Sequence, residues 1–112
     1  MGMLKTLTAV VTSVDIGTPT DVNETPFLTR KVIRRCRALP LTSTVKLQGA
    51  NRDPGTKAVP AEDSSAWVDI ETLTSSSAIV AEIGPLYEFI RWNCTVLDAD
   101  GPNAVIDLEG VQ

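Results

Sequence analysis

The chain of 112 residues contains no histidine, two cysteines and five aromatic residues. Without an imidazole there is no Ser-His-Asp or Cys-His relay, no His-ligated zinc and no histidine switch near neutral pH. Cys36 and Cys94 are too few for a four-thiolate metal site and allow one disulfide at most, so free, buried thiols are the expectation. No apolar run approaches the roughly 20 residues that cross a bilayer, and no membrane partner is expected. Residues 1–12 carry one charge, Lys5, and are broken by threonines, so they lack the apolar stretch of a secretory leader. The glycine patterns that cradle phosphates, G-x-x-x-x-G-K-[ST] and G-x-G-x-x-G, do not occur. The aromatic residues are Phe27, Trp67, Tyr87, Phe89 and Trp92. A two-layer core would use most of them, which leaves little for a sugar-stacking platform or an aromatic face for single-stranded nucleic acid.

What is present describes an ordinary globular chain: 43% hydrophobic and 21% charged residues. Such a chain buries one core, and a single domain over residues 1–112 is expected. The net charge of −4 conceals an uneven distribution. Arg30, Lys31, Arg34, Arg35 and Arg37 place five of the ten positive charges within eight residues, whereas the chain beyond Arg91 holds Asp98, Asp100, Asp107 and Glu109 and no base. A two-signed surface suits docking to a protein partner, or pairing between identical subunits, better than a broad nucleic-acid footprint. Arginines of one strand pairing with local carboxylates account for the same cluster.

Periodicity predicts an all-β fold. Leu4 to Val14 is rich in Thr and Val and runs into Asp15-Ile16-Gly17-Thr18-Pro19, a strand followed by a turn-rich loop. In Thr44 to Gln48, Val45 and Leu47 alternate with Lys46 and Gln48. Residues 51–65 hold Pro54, Gly55 and Pro60 among polar residues, the composition of a long exposed loop. Trp67 to Leu73 and Ala78 to Ile83 flank the serines 75 to 77 and read as a strand pair around a polar turn. Glu88 to Leu97 alternates most clearly, with Ile90, Trp92, Cys94 and Val96 on one face and Arg91, Asn93 and Thr95 on the other. The odd-numbered Tyr87, Phe89 and Arg91 are expected to face away from Trp92. Beyond the turn residues 98–103, Ala104, Ile106 and Leu108 alternate with Val105, Asp107 and Glu109, so the last two strands are expected to form a hairpin.

Residues 26–39 are contested. Thr25, Pro26 and the apolar spacing Leu28, Val32, Cys36 satisfy helix-start rules. The strand formers Phe27, Val32 and Ile33, and strands on both sides, favour a strand. Counting it gives seven to eight antiparallel strands, a jelly-roll-like β-sandwich.

Chemistry is sparse. Asp98-x-Asp100-Gly101 lacks the spacing of a calcium loop and reads as a turn. Asp69 and Glu71 are expected on one exposed strand face with no pocket implied. No catalytic residue, metal ligand or cofactor site is expected, and an enzyme is not the expected class.

Three stretches in order, Arg30-Lys31-Val32-Ile33-Arg34-Arg35-Cys36-Arg37 leading to V-x-L-Q-G-x-N-x-D at residues 45–53, W-x-D-I at 67–70 and Y-x-x-I-R at 87–91, resemble the small jelly-roll cement or decoration proteins of tailed bacteriophages. The same order is similar to galactose-binding-like sandwiches that bind glycans. Small size and the absence of a leader and of histidine favour the virion family. The departure is the long insertion between Asp53 and Trp67, where many relatives turn tightly. The resemblance implies a protein made in the bacterial host cytoplasm and placed on the capsid exterior. There it would bridge copies of the major capsid protein, as a dimer or trimer, without nucleic acid or membrane. Another phage structural role, at the head-tail connection or in the tail, is the nearby alternative. Contact residues expected on this basis are Arg30, Lys31, Arg34, Arg35 and Arg37 of the basic strand and Asn51, Arg52, Asp53 and Lys57 of the loop. Phe27 or Tyr87 would serve as an anchor.

Overall fold

A computed structural model describes residues 4–21, 31–39, 42–74, 77, 79–83, 87–98 and 103–111. Eight strands follow one another: β1 (Leu4–Val11), β2 (Thr20–Asp21), β3 (Lys31–Ala38), β4 (Thr44–Ala50), β5 (Val68–Leu73), β6 (Val80–Ile83), β7 (Phe89–Val96) and β8 (Ala104–Val111). They form two antiparallel sheets, with strand order β1-β8-β3-β6 in sheet A and β2-β7-β4-β5 in sheet B. The pairs β1·β8, β2·β7, β3·β6 and β4·β5 are those of one long antiparallel ribbon folded at its middle. Wrapping that ribbon adds β8·β3 and β7·β4, and the result is a jelly roll.

The strand in the contested segment is confirmed over Lys31–Ala38, while residues 26–30, with Phe27 and Arg30, lie outside the described residues. Two expected hairpins are corrected. β5 and β6 lie in different sheets, as do β7 and β8, because these connections cross the sandwich. Alternation identifies a strand and its buried face but carries no information about its partner. Among the described residues only β4 and β5 are both consecutive and paired, and residues 51–67 join them. The expected turn over residues 98–103 falls largely outside the described residues.

The core follows the alternation. Leu47, Ile83, Ile90 and Leu108 form one buried cluster and Val45, Leu73, Cys94, Ala104 and Ile106 another, and Trp92 packs against both. Full burial of each large aliphatic side chain contributes about 1.5–3 kcal/mol. At the end of this core the Tyr87 ring lies on Gly49, where a Cβ would overlap it. Because Gly49 pairs with the buried Ile90, Tyr87 covers the core side of the strand, not the outer side expected from its odd number. Tyr87 precedes β7, so the alternation of that strand does not govern it.

Register shifts produce two further corrections. Between Leu47 and Gln48 of β4 the partner in β5 jumps from Glu71 to Asp69, so that Ile70 is an extra residue. A bulge of this kind turns residues two apart to opposite faces. Glu71, paired with buried Leu47, enters the sandwich, whereas Asp69, paired with Gln48, stays outside. Near the end of β7, Cys94 pairs with Val45 and Val96 with Thr44, which makes Thr95 the extra residue. Val96, expected in the core, is instead 43% exposed.

Candidate interaction surfaces

The basic strand does not present its arginines as one patch. Along β3 the inward register positions hold Arg34 and Cys36, opposite Leu108 and Ile106 of β8. Arg34 is 1% exposed. Its guanidinium crosses from sheet A to sheet B and meets the Glu71 carboxylate in a two-pronged ion pair, with Nε to Oε1 at 2.7 Å and Nη2 to Oε2 at 2.8 Å. Its Nη1 donates to the Ile79 carbonyl at 3.4 Å and approaches Cys36 Sγ at 3.5 Å. The expectation that Arg34 contacts a partner is thus corrected: strand alternation places it inside, and the bulge at Ile70 brings Glu71 in to neutralise it. Hydrogen bonding to Glu71 raises the Arg34 pKa and keeps it charged.

Arg35 and Arg37 project on the outer face of sheet A and meet the acids of β8. Arg37 Nε lies 2.9 Å from Asp107 Oδ2, and Arg35 Nε lies 3.5 Å from Glu109 Oε1. Asp107 also accepts from the Thr8 hydroxyl at 2.6 Å. Both arginines remain about half exposed, at 47% and 55% of the side chain, and the strip they form with β8 carries both signs. Lys31 lies in β3, paired with Val111.

The long loop folds back on the outer face of sheet B. Trp67, Ala50 and Phe89 form a small buried cluster there, outside the sandwich. The Arg91 guanidinium stacks on Trp67 at 4.1 Å from the ring centroid, donates from Nε to Gln48 Oε1 at 2.9 Å, and donates from Nη1 to the Glu62 carbonyl at 2.8 Å. Trp67 Nε1 donates to the Ala61 carbonyl at 3.0 Å. Burial under the loop lowers the Arg91 pKa from its ordinary value. Beside this cluster Gln48 donates to Asp69 at 2.8 Å, and that bond, with Lys46 adding its charge, lowers the Asp69 pKa.

A second anchor holds the start of the loop. Arg52 donates to Asp21 Oδ2 at 2.7 Å, lies 3.2 Å from Glu88 Oε2, and stacks on Phe89 at 4.7 Å. Asn51 accepts from the Glu88 amide through Oδ1 at 3.2 Å. Asp53 Oδ1 accepts from the amides of Gly55 at 2.7 Å and Thr56 at 3.0 Å, which lowers its pKa. Lys57 closes this turn with φ at 63° and its amide on the Asp53 carbonyl. Of the loop residues expected to make contacts, Asn51, Asp53 and Lys57 are exposed, while Arg52 is half-buried and holds the loop down. Tyr87, 37% exposed, stands at the same end of the sandwich.

The expected absence of an exposed aromatic platform has a structural basis for Trp67 and Phe89, which are 8% and 3% exposed. A cleft of about 320 Å³ opens between β1 and the segment Asp15–Thr18, floored by Ile90 and Trp92. Its polar lining is mainly hydroxyls, and the Asp15 carboxylate that borders it accepts from the Ile16 amide at 2.7 Å. Among the described residues no group of three or more acids and cysteines converges on a point that could hold a metal ion. Cys94 is buried and Cys36 half-buried; both are free thiols, and burial raises the pKa of each, at Cys36 against the opposing pull of Arg34.

Several determinants were not evident from sequence. Glu71 is revealed as an interior residue only by a bulge. Gln48 and Arg91 are buried polar residues because a distant loop covers them. The available signal was Trp67, a large apolar residue closing a polar loop and therefore in need of a surface to cover. No protein-family model, curated protein or solved structure matches the chain.

Proposed function

We propose that the protein is a non-catalytic virion component, a capsid decoration or cement protein that sits outside a phage head and bridges major capsid subunits. The observation that carries this reading is the fastened loop at residues 51–66. It is anchored at one end by Arg52 on Asp21 and Glu88 and at the other by Trp67 under Arg91, while Asp53 to Val59 stay exposed. A loop already held in one conformation loses little freedom on docking, which favours binding by shape. The jelly roll supplies a rigid support, and the paired charges of Arg35, Arg37, Asp107 and Glu109 supply a two-signed rim. A subunit that binds only the expanded shell stabilises that state by mass action, and repeated copies add through avidity.

The test is the copy number of this protein in purified particles relative to the major capsid protein. A ratio near one, or a simple fraction of it, supports the shell-wide role. A dozen copies or fewer per particle would move the protein to the portal or tail, and absence from particles would overturn the virion reading. On isolated heads, Lys57→Glu is expected to lower occupancy at least about tenfold, the loss of roughly 1.4 kcal/mol of binding.

A further inference from the structure

A β-sandwich has sheet edges, and exposed edges pair with other chains unless something prevents it. Three of the four edges here are protected. Over the described residues β2 spans Thr20–Asp21 and carries Asp21, β6 spans Val80–Ile83 and carries Glu82, and β5 is bent by the bulge at Ile70 and carries Asp69 and Glu71. β1 differs on every count. It is eight residues long and runs in unbroken register against β8, without proline, glycine or bulge and with Lys5 as its one charge. Among the described residues β8 is the only strand that β1 pairs with. Half of the backbone N–H and C=O groups of an edge strand point away from its neighbour. Beside this edge lie the cleft and two exposed apolar residues, Val10 and Val14.

We propose that β1 pairs with β1 of a second copy of this chain, antiparallel and across a two-fold axis, joining the two A sheets into one eight-stranded sheet. A second copy fits because an antiparallel edge is complementary to itself. A two-fold axis normal to the sheet brings residues of equal parity opposite one another, so the seam centres on a residue facing its own copy. Centred on Thr8, the register sets Lys5 opposite Val11, Thr6 opposite Val10 and Leu7 opposite Ala9. The single cation then never meets its own copy, and seven residues of each strand pair. Thr8 is exposed, and its hydroxyl donates to Asp107 on the outer face of sheet A.

The experiment is sedimentation equilibrium of the full chain from about 1 µM to about 1 mM, with Thr8→Lys, Val80→Lys and Thr8→Cys. The native chain is expected to show a monomer-dimer equilibrium. Thr8→Lys sets two like charges at the axis and weakens dimerisation at least about tenfold. Val80→Lys, on the opposite edge of sheet A, leaves it unchanged. Thr8→Cys gives a disulfide-linked dimer on mild oxidation, since directly opposed Cα atoms stand about 4.5–5.5 Å apart. A monomer throughout the range, a trimer, or a dimer indifferent to Thr8→Lys would overturn the seam. The seam rests on the edges of the sandwich and not on the capsid reading: a monomeric protein found at full copy number on heads would overturn the first alone, and a dimer absent from particles the second alone.

Discussion

Arg34 of sheet A and Glu71 of sheet B meet inside the sandwich, the arginine 2% and the glutamate 25% exposed at the side chain, and their ion pair ties the two sheets together. Removing one partner leaves the other charge buried alone, which typically costs about 3–5 kcal/mol, whereas replacing both with apolar residues is often neutral. Arg34→Met is expected near the lower end of that range, because the Glu71 left behind keeps some contact with water, and Glu71→Leu near the upper end, because it leaves the buried Arg34 unpaired. Arg34→Met combined with Glu71→Leu should recover most of the loss. Urea unfolding of the two single variants and the double variant measures the coupling, and additive losses would show that the pair does not act as a unit.

Trp67→Ala should free the loop before it unfolds the sandwich. The indole is the apolar anchor of the outer cluster and the surface on which Arg91 lies, and truncating a buried tryptophan costs about 3–5 kcal/mol. Limited proteolysis within residues 51–66 is expected to accelerate well ahead of cleavage within the strands. Equal acceleration throughout would mean that the loop and the sandwich open together.

Gly49→Ala should destabilise by about 1–3 kcal/mol, the usual cost of overfilling a packed site. The added methyl would meet the Tyr87 ring and, less closely, Ile70. Tyr87→Ala in the same chain removes the larger clash, so the double variant should be more stable than the sum of its single losses. Thermal unfolding of the three variants checks this.

The buried thiols predict a loss of stability in alkali. Cys36 and Cys94 have folded pKa values above their ordinary value, so the folded chain holds these protons longer than the unfolded chain does. Their contribution is complete below the unfolded thiol pKa of about 8.5 and declines as the pH rises above it. Cys94→Ala should flatten the pH dependence between about 8.5 and 10 relative to the native chain, as read by the urea midpoint at each pH. An unchanged slope would place the alkaline loss elsewhere.

Much of the fold was legible in sequence because alternation at period two reports burial directly. Ile90, Trp92 and Cys94 on β7, and Ala104, Ile106 and Leu108 on β8, lie on the faces expected of them. The failures share one cause. Glu71, Val96 and Tyr87 were placed by extending alternation through positions where a bulge or a strand end breaks it, and a bulge depends on the partner strand. The hairpins failed because short polar connections can cross between sheets as readily as within one. Of the expected contact residues, Arg34 was misplaced because a cluster in sequence is divided between two faces in a strand, and Arg52 because its restraint comes from Asp21 and Glu88, each more than 30 residues away.

The position of β8 bears on how the chain is made. It lies between β1 and β3 at the middle of sheet A, yet it is translated after the other seven strands. Until it emerges from the ribosome, β1 has no neighbour in its sheet and β3 has only the short β6. The nascent chain must carry the β-prone segment 4–11 without its partner until residues 104–111 have been made. Long-range closure of this kind is slow and exposes sticky strands while it waits, so yield from recombinant expression should respond to translation rate and chaperone supply more than to the stability of the finished sandwich.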